Sequence, residues 1–198
     1  MSEKLLKHGR EFAALLAAGQ YEHTDGGILI KGGADVLASG QYFASVNGGP
    51  LEHEGDNLLP DEGLLHMLNV VFGATAKVPN WYLALFSGQI NPAPAWTAAN
   101  FPATANEITS ATEGYSNATR PAFTAAPAAS GQITNLAAKA QFSIVCTTSL
   151  SIEGAALLSS SGKGSTSGVL ASASRFNQPR LLYNGDTYDL GYGVSLTA

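Results

Sequence analysis

The chain has 198 residues, 45% of them apolar and 13% charged, with a net charge of −5 and one cysteine. That size and apolar content suffice for one domain with a real core, or one domain with an extension. The acidic balance argues against nucleic acid, which needs a basic patch to release counterions from phosphate; the lone Cys146 excludes an intrachain disulfide framework and fits a reducing compartment of synthesis; and no run of eighteen apolar residues exists, so no transmembrane span is expected.

The charge is unevenly placed. Residues 1–62 hold ten acidic and four basic side chains, whereas residues 63–198 hold five and six. From residue 78 to residue 198 there are ten charged side chains in 121 residues, about a third of the usual density. Surface charge keeps soluble proteins apart, and interface cores are where it is most depleted. A stretch so poor in charge is expected to end up packed in an assembly, with a homo-oligomer as the simplest form.

Leu5, Phe12, Leu15 and Leu16 recur at helical spacing, with Lys4, Lys7, Arg10 and Glu11 largely on other faces, so the pattern predicts an amphipathic helix over residues 3–18 closed by Gly19. It packs on its own domain or docks on a neighbouring subunit. The same residues superficially suggest a signal peptide, but Arg10 and Glu11 abut a short apolar run and secretion is not expected. The sequon Asn117-Ala118-Thr119 then meets no glycosylation machinery.

Residues 20–54 alternate glycine pairs with the short apolar runs Ile28-Leu29-Ile30 and Tyr42-Phe43-Ala44-Ser45-Val46. Short strands between glycine turns fit, and so does an extended arm with little core of its own. The division expected is a helix and Gly-rich arm over residues 1–55 and a β-sandwich over residues 56–198. Within it a helix over residues 60–72 starts at Pro60, carries Asp61 and Glu62 at the positive end of its dipole, and ends at Gly73. Leu64, Leu65, Leu68, Val71 and Phe72 form its core-facing stripe.

After that helix the pattern turns to β. Trp81-Tyr82-Leu83-Ala84-Leu85-Phe86 is apolar on both faces, as in a strand buried between two layers. Phe142, Ile144 and Cys146 alternate with polar or smaller neighbours, and the last strand sends Tyr188, Leu190, Tyr192, Val194 and Leu196 one way. Further strands are predicted at residues 152–158, 168–176 and 181–183. The fold class is mainly β: an antiparallel β-sandwich, jelly-roll-like, with one or two short helices and an N-terminal arm. A parallel α/β sheet would need crossover helices that are missing. Residues 91–127, with five of the nine prolines, form a long excursion that is either functional or packed on something. Residues 159–168 read as a flexible hairpin connection.

Chemistry is sparse. His8 and His66 lie on predicted helices, His23 in a turn, and His53 among Glu52, Glu54 and Asp56, where the spacing suits a solvated acidic turn better than a cation site. Cys146 belongs to an alternating strand and reads as a buried structural thiol. Gly162-Lys163-Gly164 fails as a phosphate cradle, because Gly164 stands where Ser or Thr must hold magnesium and Leu157 replaces the first glycine. Gly164-Ser165-Thr166-Ser167-Gly168 has Thr at the nucleophile position of an elbow. No catalytic, cofactor-binding or metal-binding residue is assigned, and an enzyme is not expected.

The runs Asp56-Asn57-Leu58-Leu59-Pro60-Asp61-Glu62-Gly63-Leu64, Trp81-Tyr82-Leu83-Ala84-Leu85-Phe86, Ala118-Thr119-Arg120-Pro121-Ala122-Phe123, Ala155-Ala156-Leu157-Leu158-Ser159-Ser160-Ser161, Leu170-Ala171-Ser172-Ala173-Ser174-Arg175-Phe176 and Gly185-Asp186-Thr187-Tyr188 stand in an order that resembles a group of small virion proteins of tailed bacteriophages, especially short-tailed ones. The similarity covers residues 56–198. It implies a capsid cement or decoration protein, made in the host cytoplasm, that sits outside the mature head and bridges neighbouring subunits of the major capsid protein. The acidic, Gly-rich segment over residues 2–54 then reads as a clamp that orders on neighbouring subunits. Two alternatives are a tail, collar or fibre component, which should show repeats or heptads that this chain lacks, and a carbohydrate-binding sandwich using Trp81, Trp96 and Tyr115 as stacking platforms.

Overall fold

The computed structural model describes residues 21–24, 27–30 and 37–197. The helix predicted over residues 3–18, with His8, and the side chain of His23 lie outside them. Two antiparallel sheets form a β-sandwich. In the first, strands β1 (Tyr21–Thr24) and β2 (Gly27–Ile30) make a hairpin that joins β3 (Leu37–Val46). Strand β3 runs beside the last strand, β12 (Thr187–Thr197), along its whole length, from Tyr188 against Val46 to Thr197 against Leu37. Short strand β4 (Glu52–Asp56) extends the outer edge of β3, while β8 (Gln132–Thr134) and β9 (Ala140–Val145) share the far edge of β12, and β6 (Gly114–Tyr115) follows β9. The second sheet has the order β11 (Leu170–Leu182), β10 (Leu150–Leu158), β5 (Trp81–Phe86), β7 (Ala122–Phe123).

The expected boundary at residue 55 is therefore corrected. Strands β3 and β4 belong to the sandwich, and Tyr42 and Ala44 lie in its main core. The predicted strands at residues 168–176 and 181–183 are one strand. Between Arg175 opposite Gly154 and Arg180 opposite Ile152 the register slips, so Pro179 falls in a bulge where no ladder donor is required.

The two-faced strand β5 is as expected. Leu83 and Leu85 point into the core between the sheets with Phe142, Leu157, Tyr188 and Leu190, whereas Ala84 and Phe86 point outward. The long excursion covers that outer face. Trp96, Ala98 and Phe101 lie over Phe86, Ala156, Leu158 and Leu170, and the short helix α2 (Phe101–Thr104) sits within this layer. The excursion is thus held by a second apolar core. In β12, Tyr188, Leu190 and Tyr192 face inward as predicted, but Leu196 is exposed. Burial lifts the pKa of the Tyr42, Tyr188 and Tyr192 hydroxyls, and the first of these bonds Ser172 Oγ across the sheets at 2.7 Å.

Both flanks of the sandwich are stitched. Past β4 the chain bridges to β11, with Leu58 and Ala173 exchanging backbone hydrogen bonds of 2.8 and 3.0 Å. On the opposite flank one segment pairs with β9 through β6 and then with β5 through β7. The stitches thereby occupy part of the outer edges of β11, β5 and β9.

Helix α1 (Asp61–Val71) lies between β4 and β5 in the chain. Pro60 is extended and serves as its N-cap, so the helix begins at Asp61, one position after the expected start. Glu62 Oε2 accepts from the backbone N–H groups of Ala98 (2.7 Å) and Leu170 (2.6 Å), which fixes the first turn on the body. The stripe expected to face the core does so only at Leu64 and in part at Leu68; Leu65, Val71 and Phe72 are exposed. The pattern identifies an apolar face, but of that stripe the sandwich supplies partners only to Leu64 and, in part, Leu68.

Candidate docking surface

Three of the places where chemistry could have been sought are internal fastenings. The first is the 159–168 connection, expected to be flexible. Arg120, fully buried, donates from Nε to Glu107 Oε1 and from Nη2 to Glu107 Oε2, both at 2.7 Å, and from Nη1 to the Ser160 carbonyl at 2.9 Å. Gly164 N–H donates to Glu107 Oε2 at 3.0 Å, and Lys163 Nζ donates to the Tyr115 carbonyl at 2.7 Å while lying 3.8 Å from the Tyr115 ring centroid. The connection is pinned, and the groups a phosphate would need are already taken. Desolvation pulls the Lys163 pKa down, and burial pushes that of Tyr115 up.

The second is the acidic stretch around His53. A bulge opposite Tyr42 and Phe43 puts His53 and Asp56 on the outer face of the sheet, where His53 lies 5.4 Å from the Phe43 ring and 3.3 Å from Asp56. Glu52 and Glu54 turn instead to Arg180, whose Nε donates to both Glu54 oxygens at 2.8 and 2.9 Å. Hydrogen bonding to Glu54 is the main reason the Arg180 pKa stands above its ordinary value. The carboxylates do not converge, and among the described residues no group of three or more His, Cys, Asp or Glu side chains could hold a metal ion.

The third is the set of aromatics. Trp96 is buried against Phe86 and Phe101, Tyr115 is buried on Phe142, and Trp81 packs edge-on to His66. Trp96 belongs to the outer apolar layer, whereas Tyr115 lies in the main core and Trp81 packs against it, so the three make no common exposed platform. Cys146 is buried, as predicted.

What the molecule does present is a rigid end. The β3–β4 turn places Asn47 and Gly48 at φ of 52° and 70°, a conformation that Asn tolerates and Gly adopts freely. Asn47 Nδ2 donates to Asp186 Oδ1 at 2.8 Å, Asn47 Oδ1 accepts from Thr187 N at 2.9 Å, and Asp186 Oδ2 accepts from Tyr183 N at 2.8 Å. The β11–β12 turn is thus locked onto the β3–β4 turn. The hydrogen bond from Asn47 holds the Asp186 carboxyl below its usual range.

Leu51, Leu181 and Tyr183 are exposed here, Leu51 and Leu181 each adjoining one member of the Arg180–Glu52 ion pair in sequence. A shallow cleft beside them is lined by Ala44, Val46, Pro50, Glu52, Glu54 and Arg180. The turns that carry them are already fixed by hydrogen bonds, so covering this end costs little loop ordering, which favours docking. None of these residues stands out in the sequence as a site. The signals that were there are the turn runs Asn47-Gly48-Gly49-Pro50 and Asn184-Gly185-Asp186. The chain matches no family model and no curated protein.

Proposed function

We propose that this chain is a non-enzymatic virion structural protein that decorates a bacteriophage capsid from outside and cements it by bridging subunits of the major capsid protein. The observation that carries the reading is the rigid, charge-compensated end that exposes Leu51, Leu181 and Tyr183. It is joined by the scarcity of charge over residues 78–198, which suits a surface that closes against others. A cement needs no chemistry. It gains strength from many copies, each covering a modest area, and a sandwich stitched on both flanks can transmit load between its ends.

The test uses capsids prepared without the protein. Full-length chain added to them is expected to co-sediment and to raise their temperature of disruption. Leu181→Asp combined with Tyr183→Asp removes two exposed anchors without touching the core. Apolar interface anchors are worth about 1–2 kcal/mol each, so binding should weaken by roughly 10- to 1,000-fold. Undiminished binding by the double variant, or no binding by the wild type, would refute the reading.

A further inference from the structure

The end that exposes Leu51, Leu181 and Tyr183 is also acidic. Glu52 follows Leu51, and Asp186 accepts from the Tyr183 backbone at 2.8 Å. Glu113 accepts from Thr147 N at 3.1 Å, next to Cys146, whose N–H donates to Asn184 in the β11–β12 turn. The donors to Asp186 and Glu113 are neutral, so their hydrogen bonding is met while the charge stays. With the buried Glu54, this end sets four carboxylates against the single guanidinium of Arg180.

We propose that the partner face docked here carries lysine and arginine side chains around an apolar spot, one of them entering the cleft beside Glu52. The inference names the chemistry of the capsid partner and rests on that reading. Charge complementarity selects it, because opposite potentials steer encounter and like charges suppress wrong partners. Nucleic acid and an anionic membrane surface are repelled. So is a second copy that presents the same end, and the rest of the chain offers it little. Among the described residues Arg120, Arg175 and Arg180 face Glu107, Glu153 and Glu54, and Lys163 is pinned on Tyr115, which leaves Lys77 and Lys139 outside any ion pair.

The cleft fits the end of one long side chain. Its volume of about 80 Å³ is several times the ~10–15 Å³ that one water needs. Ala44, Val46 and Pro50 supply apolar wall for a hydrocarbon stem. Glu52 is exposed there, with Oε2 on Arg180 Nη2 and Oε1 taking no hydrogen bond among the described residues. An arriving ammonium meets an unspent acceptor.

The experiment has two arms. In the first, wild-type binding to capsids prepared without the protein should weaken about tenfold or more as NaCl rises from about 0.1 to about 1 M, where the screening length falls from roughly 10 to 3 Å. Glu52→Gln with Glu113→Gln removes two charges and keeps both acceptors. This variant should bind roughly 2- to 30-fold more weakly at the lower salt and depend less on salt. The second arm needs no capsid. n-Butylammonium chloride, which matches a lysine side chain, should shift the amide resonances of Val46, Glu52 and Arg180 in the full-length protein, where sodium butyrate does not. Capsid binding indifferent to salt and to the two substitutions overturns the proposal. If the wild type sediments with capsids at no salt concentration, the capsid reading fails and the second arm decides alone: a selective shift keeps the cationic partner, and its absence overturns that as well.

Discussion

Replacing Glu107 by alanine leaves the Arg120 guanidinium with no carboxylate, at a position where both side chains are fully buried. Removing one partner of a buried pair costs about 3–5 kcal/mol, because the charge left behind keeps its desolvation penalty. For a domain of this size each kcal/mol lowers Tm by about 2–4 °C, so a fall of roughly 6–20 °C is expected. Glu107→Leu with Arg120→Met should behave differently. It removes both charges, and the groups left over are the Ser160 and Ser165 carbonyls and the Gly164 N–H, on residues that are only partly buried and can turn to water. Its loss should be about 1–2 kcal/mol, from these weakened hydrogen bonds. Urea unfolding followed by tryptophan fluorescence gives both numbers. Limited proteolysis with trypsin adds a local readout, since Lys163 should become cleavable in Glu107→Ala under native conditions. If the double variant is as unstable as the single one, or the single one loses under 1 kcal/mol, the pair does not organise the connection.

Two further outcomes follow from local geometry and titration. In Gly154→Ala the new Cβ would stand 2.2 Å from both Phe86 Cζ and the Ser174 carbonyl oxygen, so the variant should lose about 3 kcal/mol or more or fail to accumulate in soluble form, as measured by soluble yield and the urea midpoint. The Asp186 carboxyl has its folded pKa depressed, chiefly by the hydrogen bond from Asn47, so its contribution is present above the unfolded value near 3.9 and is lost as pH falls through the lower folded one. Urea midpoints measured from pH 6 down to pH 2.5 should therefore fall less steeply in Asp186→Asn than in the wild type, and parallel curves would show that the turn-to-turn lock does not titrate.

Alternation made the strands legible where one face or both meet a core: β5 and the inward tyrosines of β12 could be read directly. Strand β3 was harder, because its glycine looks like a turn signal and is in fact a close approach. A Cβ at Gly40 would stand 2.6 Å from the Tyr192 hydroxyl and 2.8 Å from the Gly193 carbonyl. The Arg120–Glu107 fastening could not be read, since its members and the loop they hold lie 13 to 57 positions apart in segments that have no period. At the candidate docking end the signal was partial. Leu182 is buried, so alternation alone turns Leu181 and Tyr183 outward, but nothing in the sequence pairs Arg180 with Glu52 and Glu54. Helix α1 marks another boundary of such reading, in that a pattern shows which face is apolar and not what will cover it.

The pairing of Thr197 with Leu37 has a mechanical meaning. Tension applied at those two residues opens the long β3–β12 ladder one rung after another, the weak mode in which each hydrogen bond breaks alone. Force that pulls β3 and β12 past each other along their length meets many backbone hydrogen bonds at once. The molecule is therefore anisotropic under load: compliant when tugged where β3 begins and β12 finishes, stiff when sheared through its body.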